Sequence, residues 1–224
     1  MPGTDNIQPC AEHAASQSSA AWLQIMARLY DPFLWWGERA GMRRLRSELL
    51  HGASGSVLEI GAGTGLNIAH YPESVGPLVL SEPESGMRRR LAHRLMQQGR
   101  VARVIDASAE CLPLADASVD NVVTTLVLCT VDDPERALRE IARVLRPDGQ
   151  MLFIEHVRAK SQRLSAWQDK LREPWRQFAG GCVCNRPTIE LMRACGFTVV
   201  ADDVVWRGMP AIVHPLVVGH ATLT

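Results

Sequence analysis

Glu59 and three glycines at alternate positions, Gly61, Gly63 and Gly65, stand together in the stretch LEIGAGTGLN, residues 58–67. An acid at the end of an apolar run, followed by residues without side chains at every second position, is the make-up of a ligand cradle. Glycine accepts positive φ and lets a ligand approach the main chain. The flanks agree: Val57–Ile60 reads as a buried strand and Leu66–Ala69 as the start of a helix. Strand, glycine turn and helix make a nucleotide-type cradle; a tight turn that binds nothing is the alternative. The dinucleotide fingerprint G-x-G-x-x-G does not fit, because its third glycine would fall at Leu66. A carboxylate beside the turn suits a ligand with a cationic end better than a pyrophosphate.

The pattern that is present, E-x-G-x-G-x-G, resembles motif I of the class I S-adenosylmethionine (SAM) methyltransferases. That ligand has an amino-acid end with an ammonium group, a ribose and an adenine, and the other candidate residues can be read against it. In an open α/β sheet, ligands sit at the carboxyl ends of the strands. Glu82 closes the second strand and is placed to accept hydrogen bonds from both ribose hydroxyls. The segment DASAECLPLADASVD follows the third strand and resembles the one that reads adenine in the family. It carries Ser108 where the family usually has Asp, with Asp106 and Glu110 on either side, so the contact rests on this group and the amide of Ala109. Thr125 and Leu126 should face the cofactor. Tyr30 and Asp31 lie on N-terminal helices, which in such enzymes cover the cofactor. Glu155 and His156 end strand five and are the candidate catalytic bases. Adjacent strand residues point to opposite faces, so one of the two should reach the acceptor, and histidine titrates near neutral pH. Trp167, Trp175 and Phe178 either line an apolar pocket or belong to the core.

The elements that must position these residues follow from periodicity and turn signals. Two helices are expected over 21–51, broken at Pro32, the second starting near Glu38. Strands are expected at 56–60, through GPLVLSEPE to Ser81–Glu82, at RVARVID, through SVDNVVTTLVLCTV and at QMLFIEHV. Helices are expected at 84–98, from Asp133–Pro134 (a cap followed by proline at the first helical position) to about 145, in two stretches over 161–180, and at 187–195. Two last strands are expected at 197–206 and 211–223. The βα alternation predicts an α/β fold with a parallel sheet and helices on both faces.

The 224 residues suffice for one α/β domain, here 21–224 after a flexible tail at 1–20, and the hydrophobic share of 46% supports a substantial core. A formal net charge of zero gives no general electrostatic reason to bind nucleic acid or anionic membrane. Arg88, Arg89, Arg90 and Arg94 read as a solvated helix face, with an anionic substrate or membrane surface as the sharper alternative. No apolar run is long enough to span a membrane, and the polar start is not a secretory signal. Six scattered cysteines suit a reduced, cytoplasmic protein. No metal is expected: Cys182-Val183-Cys184 lacks a second ligand pair at zinc-site spacing.

The resemblance extends past motif I. LPLADASVD, LVLCTV and LREIARVLRPDG resemble the small SAM methyltransferases that include the ubiquinone/menaquinone C-methyltransferases. FIEHV, WQDKLREPWRQFAGGC, Arg186 before Pro-Thr, and HPLVVGHA resemble the methyltransferase-like thiol S-methyltransferases of animal membranes and their bacterial relatives. The resemblance implies a Rossmann-like, seven-stranded, mostly parallel sheet of order 3-2-1-4-5-7-6 with the last strand antiparallel. N-terminal helices and a helical insert after strand five cap it. It implies SAM as cofactor and a small-molecule acceptor, with a thiol sulfur as the reading. O-, N- or C-methylation of a natural product, quinone precursor or phospholipid amine is the alternative, and a SAM-binding regulator is the non-enzyme one. A homodimer is left open. The membrane anchor of the animal proteins is not carried over, because this chain starts with polar residues.

Overall fold

The computed structural model describes residues 30–224; the expected tail at 1–20 and the first part of the N-terminal helices lie outside them. Seven strands form one sheet: β1 (Gly55–Ile60), β2 (Val75–Ser81), β3 (Arg103–Ile105), β4 (Val119–Thr125), β5 (Leu145–His156), β6 (Phe197–Val205) and β7 (Pro215–Leu223). Their order is β3-β2-β1-β4-β5-β7-β6, as expected. The pairs β1–β2, β1–β4, β2–β3 and β4–β5 are parallel. β7 runs antiparallel to β5 and to β6. Strand order reverses between β1 and β4, which opens a crevice at their carboxyl ends.

Alternate residues of the central strands feed opposite faces. Leu58, Ile60, Met151 and Phe153 pack on one side with Leu138 and Ile141 of α3 (Pro134–Val144) and Met192 of α5 (Thr188–Ala194). Val57, Leu80, Val123 and Leu152 pack on the other with Leu50 of α1 (Arg43–Leu50) and with Leu91 and Leu95 of α2 (Ser85–Gln98). After β5 comes α4 (Gln162–Phe178). The cap expected before α3 is present: the Asp133 side chain accepts from the Arg136 amide, and Pro134 opens the helix. No described helix is long and apolar enough to cross a membrane.

Several expectations need correction. The helix after the glycine loop is a single 3-10 turn, Ile68–His70. Tyr71 precedes Pro72 and is held extended, at φ −68° and ψ 129°, which stops propagation. Strand four ends at Thr125 rather than running through LVLCTV. Leu126 takes a left-handed φ of 62°, and the amides of Thr130 and Val131 fold back onto the Val127 carbonyl. The insert over 161–180 is one helix, α4, with Pro174 inside it. At the N-terminus, Pro32 lies within a helix over 30–37, and the break comes in a π-helical segment, Glu38–Met42, where Gly41 has φ 144°. Cys111 is disulfide-bonded, against the expectation of six free thiols; Cys129, Cys182, Cys184 and Cys195 are free.

Candidate active site

The three glycines of the loop after β1 serve different ends. A Cβ on Gly61 would stand 2.7 Å from a Val127 methyl, and one on Gly65 2.5 Å from Ile68 Cδ1, so these two positions are closed by packing. A Cβ on Gly63 would meet only the Gly61 carbonyl, at 3.9 Å, and its φ is +56°. Gly63 thus presents bare backbone to open space, which is where a ligand can lie against the loop.

Around that space stand charged and polar groups already bonded to one another. Glu59 is buried; its Oε1 accepts from Asn67 Nδ2 at 3.0 Å and its Oε2 from the Tyr71 hydroxyl at 2.7 Å. Burial pushes its carboxyl up to about 7, against the pull of those two hydrogen bonds and of nearby Arg46. Asn67 also donates to Thr125 Oγ1 at 2.8 Å. Its own oxygen accepts from Arg46 Nη1 at 2.8 Å. Glu82 Oε2 accepts from the Gly63 amide at 2.8 Å and Oε1 from the Glu84 amide at 2.9 Å, so the second acid is locked to the glycine loop. Its carboxyl is also raised, by burial first, while these amides pull it back. The pocket is lined by Tyr30, Arg46, Glu59, Gly63, Asn67 and Thr125 among others.

Arg46 was not foreseen. Its signal lies in spacing: Met42, Arg46 and Leu50 recur every four residues on one helix stripe and are all buried, so an arginine sits in an otherwise apolar row. Such a cation needs partners, and it has Asn67 and, at 3.1 Å, Glu38.

The helix over 30–37 closes the pocket. Tyr30 lines it, and Asp31 accepts from the Thr64 hydroxyl and pairs with Arg94 of α2 at 2.7 Å and Arg90 at 3.6 Å. Arg88 pairs with Asp106 at 2.6 Å. Most of the arginine cluster therefore bonds within the chain. Gly37 lies so close to Trp206 that an added Cβ would be 2.6 Å from the indole nitrogen. Phe33 meets Phe178 edge-on at 5.7 Å.

On the expected adenine side, Ser108 and Ala109 are buried, and the Ser108 hydroxyl accepts from the Glu110 amide at 3.3 Å. The Glu110 carboxylate accepts from the amides of Asp132 and Asp133, at 2.9 and 3.1 Å, ahead of α3. That oxygen ties the loop carrying Glu110 to the turn ahead of α3.

The end of β5 is a different environment. Glu155 is buried; Oε1 accepts from the Val127 amide at 3.0 Å and Oε2 has no partner. Burial raises its carboxyl to about 7, with backbone amides of residues 127–129 opposing. His156 is buried and stacks on Trp206 at 5.7 Å; its Nδ1 has no partner. Burial depresses the imidazole to about 4, so at neutral pH it is uncharged and free to accept a proton, though it holds one only weakly. Cys129 and Cys182 lie beside it with their sulfurs 3.7 Å apart, in an apolar cluster with Cys184, Ile212 and Val213. Trp175 and Leu126 pack on that cluster, whereas Trp167 is 54% exposed, with Lys170 over its ring. Arg186 ties the wall together by donating to the carbonyls of Leu128 and Val131.

A family model described as a methyltransferase domain matches residues 58–153. The chain is 33% identical over 171 residues to human thiol S-methyltransferase TMT1A, across 74% of this chain and 70% of that protein. It is 34% identical over 176 residues to rat thiol S-methyltransferase TMT1B, across 75% and 71%. The fold matches that of Burkholderia thailandensis 1,6-didemethyltoxoflavin-N1-methyltransferase, solved with 1,6-didemethyltoxoflavin and S-adenosylhomocysteine. The TM-score is 0.65 at 22% identity, covering 96% of this chain and 93% of that one.

Proposed function

Because the chain belongs to the methyltransferase domain family and is a SAM-dependent methyltransferase, we propose that it methylates the sulfur of a small, largely apolar thiol. The observation that carries the thiol is the similarity to TMT1A over 74% of the chain. The apolar wall formed by Trp206, Leu126, Ile212 and Val213 supports it.

The cradle suits the cofactor group by group. Glu59 and Arg46, joined through Asn67, offer a carboxylate to an ammonium and a guanidinium to a carboxylate. Glu82 is held by two amides with lone pairs left for ribose hydroxyls. Ser108 and the Ala109 amide serve the adenine end. Tyr30 covers the pocket, and Thr125 and Leu126 stand between cofactor and acceptor. When bound, the cofactor supplies a methyl group that is already electrophilic. The chain must then hold a nucleophile in line at near-attack distance and keep water out. Attack through sulfur needs the thiolate. The unpartnered Oε2 of Glu155 is the group that takes the proton, and His156 orients through its stacking on Trp206.

The test is a panel of alkyl and aryl thiols, amines, phenols and catechols with labelled SAM, read as S-adenosylhomocysteine and methylated product. Thioether formation supports the reading. Methylation of an amine or phenol with no thiol turned over removes the thiol assignment and leaves the methyltransferase in place.

A further inference from the structure

Cys129, Cys182 and His156 come from three separate places in the chain. His156 is the last residue of β5, Cys129 lies in the turn beyond β4, and Cys182 follows α4. Their ligand atoms nonetheless all lie within 4.8 Å of one another, and all three residues are buried. We propose that these three side chains form a site for a thiophilic divalent cation of the zinc class.

The geometry supports it first. Two thiolates on a tetrahedral zinc, each about 2.3 Å from the ion, stand about 3.8 Å apart. The two sulfurs here are 3.7 Å apart before any ion is added. An imidazole nitrogen about 2.0 Å from the same ion would sit about 3.5 Å from each sulfur. The ring therefore needs to close by on the order of 1 Å at most. The donor set comes second: two thiols and a neutral imidazole are soft to borderline ligands, the combination that selects zinc over calcium or magnesium. Third is the capacity of the ring: a neutral imidazole keeps one unprotonated nitrogen able to ligate a metal, and no side chain hydrogen-bonds the buried Nδ1 of His156. Fourth is charge. On binding, each thiol gives its proton to solvent, and two thiolates with one dication and a neutral imidazole sum to zero. A neutral complex is what the apolar surroundings of Ile212, Val213 and Leu126 can accommodate. Three protein ligands leave a fourth position, the count found in open rather than closed zinc sites.

The site does not depend on the acceptor being a thiol, and its test does not use turnover. The full chain, reduced and stripped of metal with a chelator, is titrated anaerobically with Co²⁺ as a spectroscopic stand-in and then with Zn²⁺. One equivalent of Co²⁺ should give sulfur-to-metal charge-transfer absorption and the intense visible bands of a tetrahedral centre, and Zn²⁺ should erase both. Cys129→Ser and Cys182→Ser should each remove about half of the charge-transfer intensity, and His156→Ala should weaken binding at least tenfold. Cys195→Ser, outside the site, should change nothing. A second measurement needs no variant: the unmutated reduced protein, dialysed after loading with Zn²⁺, should retain one equivalent of zinc per chain by elemental analysis. An octahedral spectrum, full charge-transfer intensity in the Cys129→Ser/Cys182→Ser double variant, or no zinc retained by the unmutated protein would each overturn the proposal.

Discussion

The two halves of the crevice are finished to different degrees. On the cradle side, Glu59, Asn67, Arg46, Thr125 and Tyr71 are joined by hydrogen bonds, and Glu82 is held by the amides of Gly63 and Glu84. At the end of β5, two neighbouring residues each keep a buried polar atom without a partner, Glu155 Oε2 and His156 Nδ1, and Trp206 Nε1 beside them has none either. A satisfied network is rigid and specifies one arrangement, whereas unmet donors and acceptors are costly until something else engages them. The first half is bonded to itself, and the second keeps polar atoms without partners.

If that division holds, substitutions should separate cleanly into those that cost cofactor binding and those that cost turnover. The largest effect should come from Gly63→Val. A β-branched residue at φ +56° is strained, and its methyls would fill the open space against the loop. Calorimetry should detect no SAM binding; retained affinity would reduce the loop to a turn. Next is Glu155→Gln, which keeps volume but cannot take a proton. Turnover should drop by about 10²-fold, the usual weight of a positioned base, with SAM affinity unchanged within about twofold. An equal loss of cofactor affinity would merge the two halves. Third is Glu82→Ala, expected to cost about 1.5–3 kcal/mol in SAM binding, with little further loss for deoxyribose analogues. Full additivity of variant and analogue would place Glu82 away from the ribose.

The smallest effect is a pH dependence. Burial sets the Glu59 carboxyl at about 7, above its ordinary 4.5. For the folded protein alone, its contribution to stability is present below 4.5 and is lost as pH rises towards 7, because the unfolded chain ionises first. For a cationic ligand the sign reverses: the ionised form binds it better, so SAM affinity should rise by a few-fold through pH 7. Glu59→Gln should flatten both curves. An unchanged affinity profile would confine Glu59 to holding Asn67 and Tyr71.

The same contrast explains what could be read from the chain alone. The cradle is written locally: Glu59 and its glycines occupy one short stretch, and Glu82 is recognisable as the acid at the next strand end. The alternation of strands and helices implies the parallel sheet, while its strand order was implied by the family resemblance. The acceptor side is assembled at long range. Cys129 and Cys182 meet across 53 residues, and Trp206 reaches His156 from beyond β6. No periodicity records such meetings, and the apolar run LVLCTV read as strand until the left-handed Leu126 turned it. Arg46 alone had a local signal that went unused, a cation in an apolar stripe.

The helix over 30–37 touches both halves, through Asp31 on Thr64 and Arg94 and through Gly37 on Trp206. The consequence is one of timing. A single segment seated over two compartments gives them one door, so cofactor exchange and acceptor exchange must wait for the same opening. The Asp31 latch is ionic and half-buried, and added salt loosens such a latch more than it disturbs the apolar seat on Trp206.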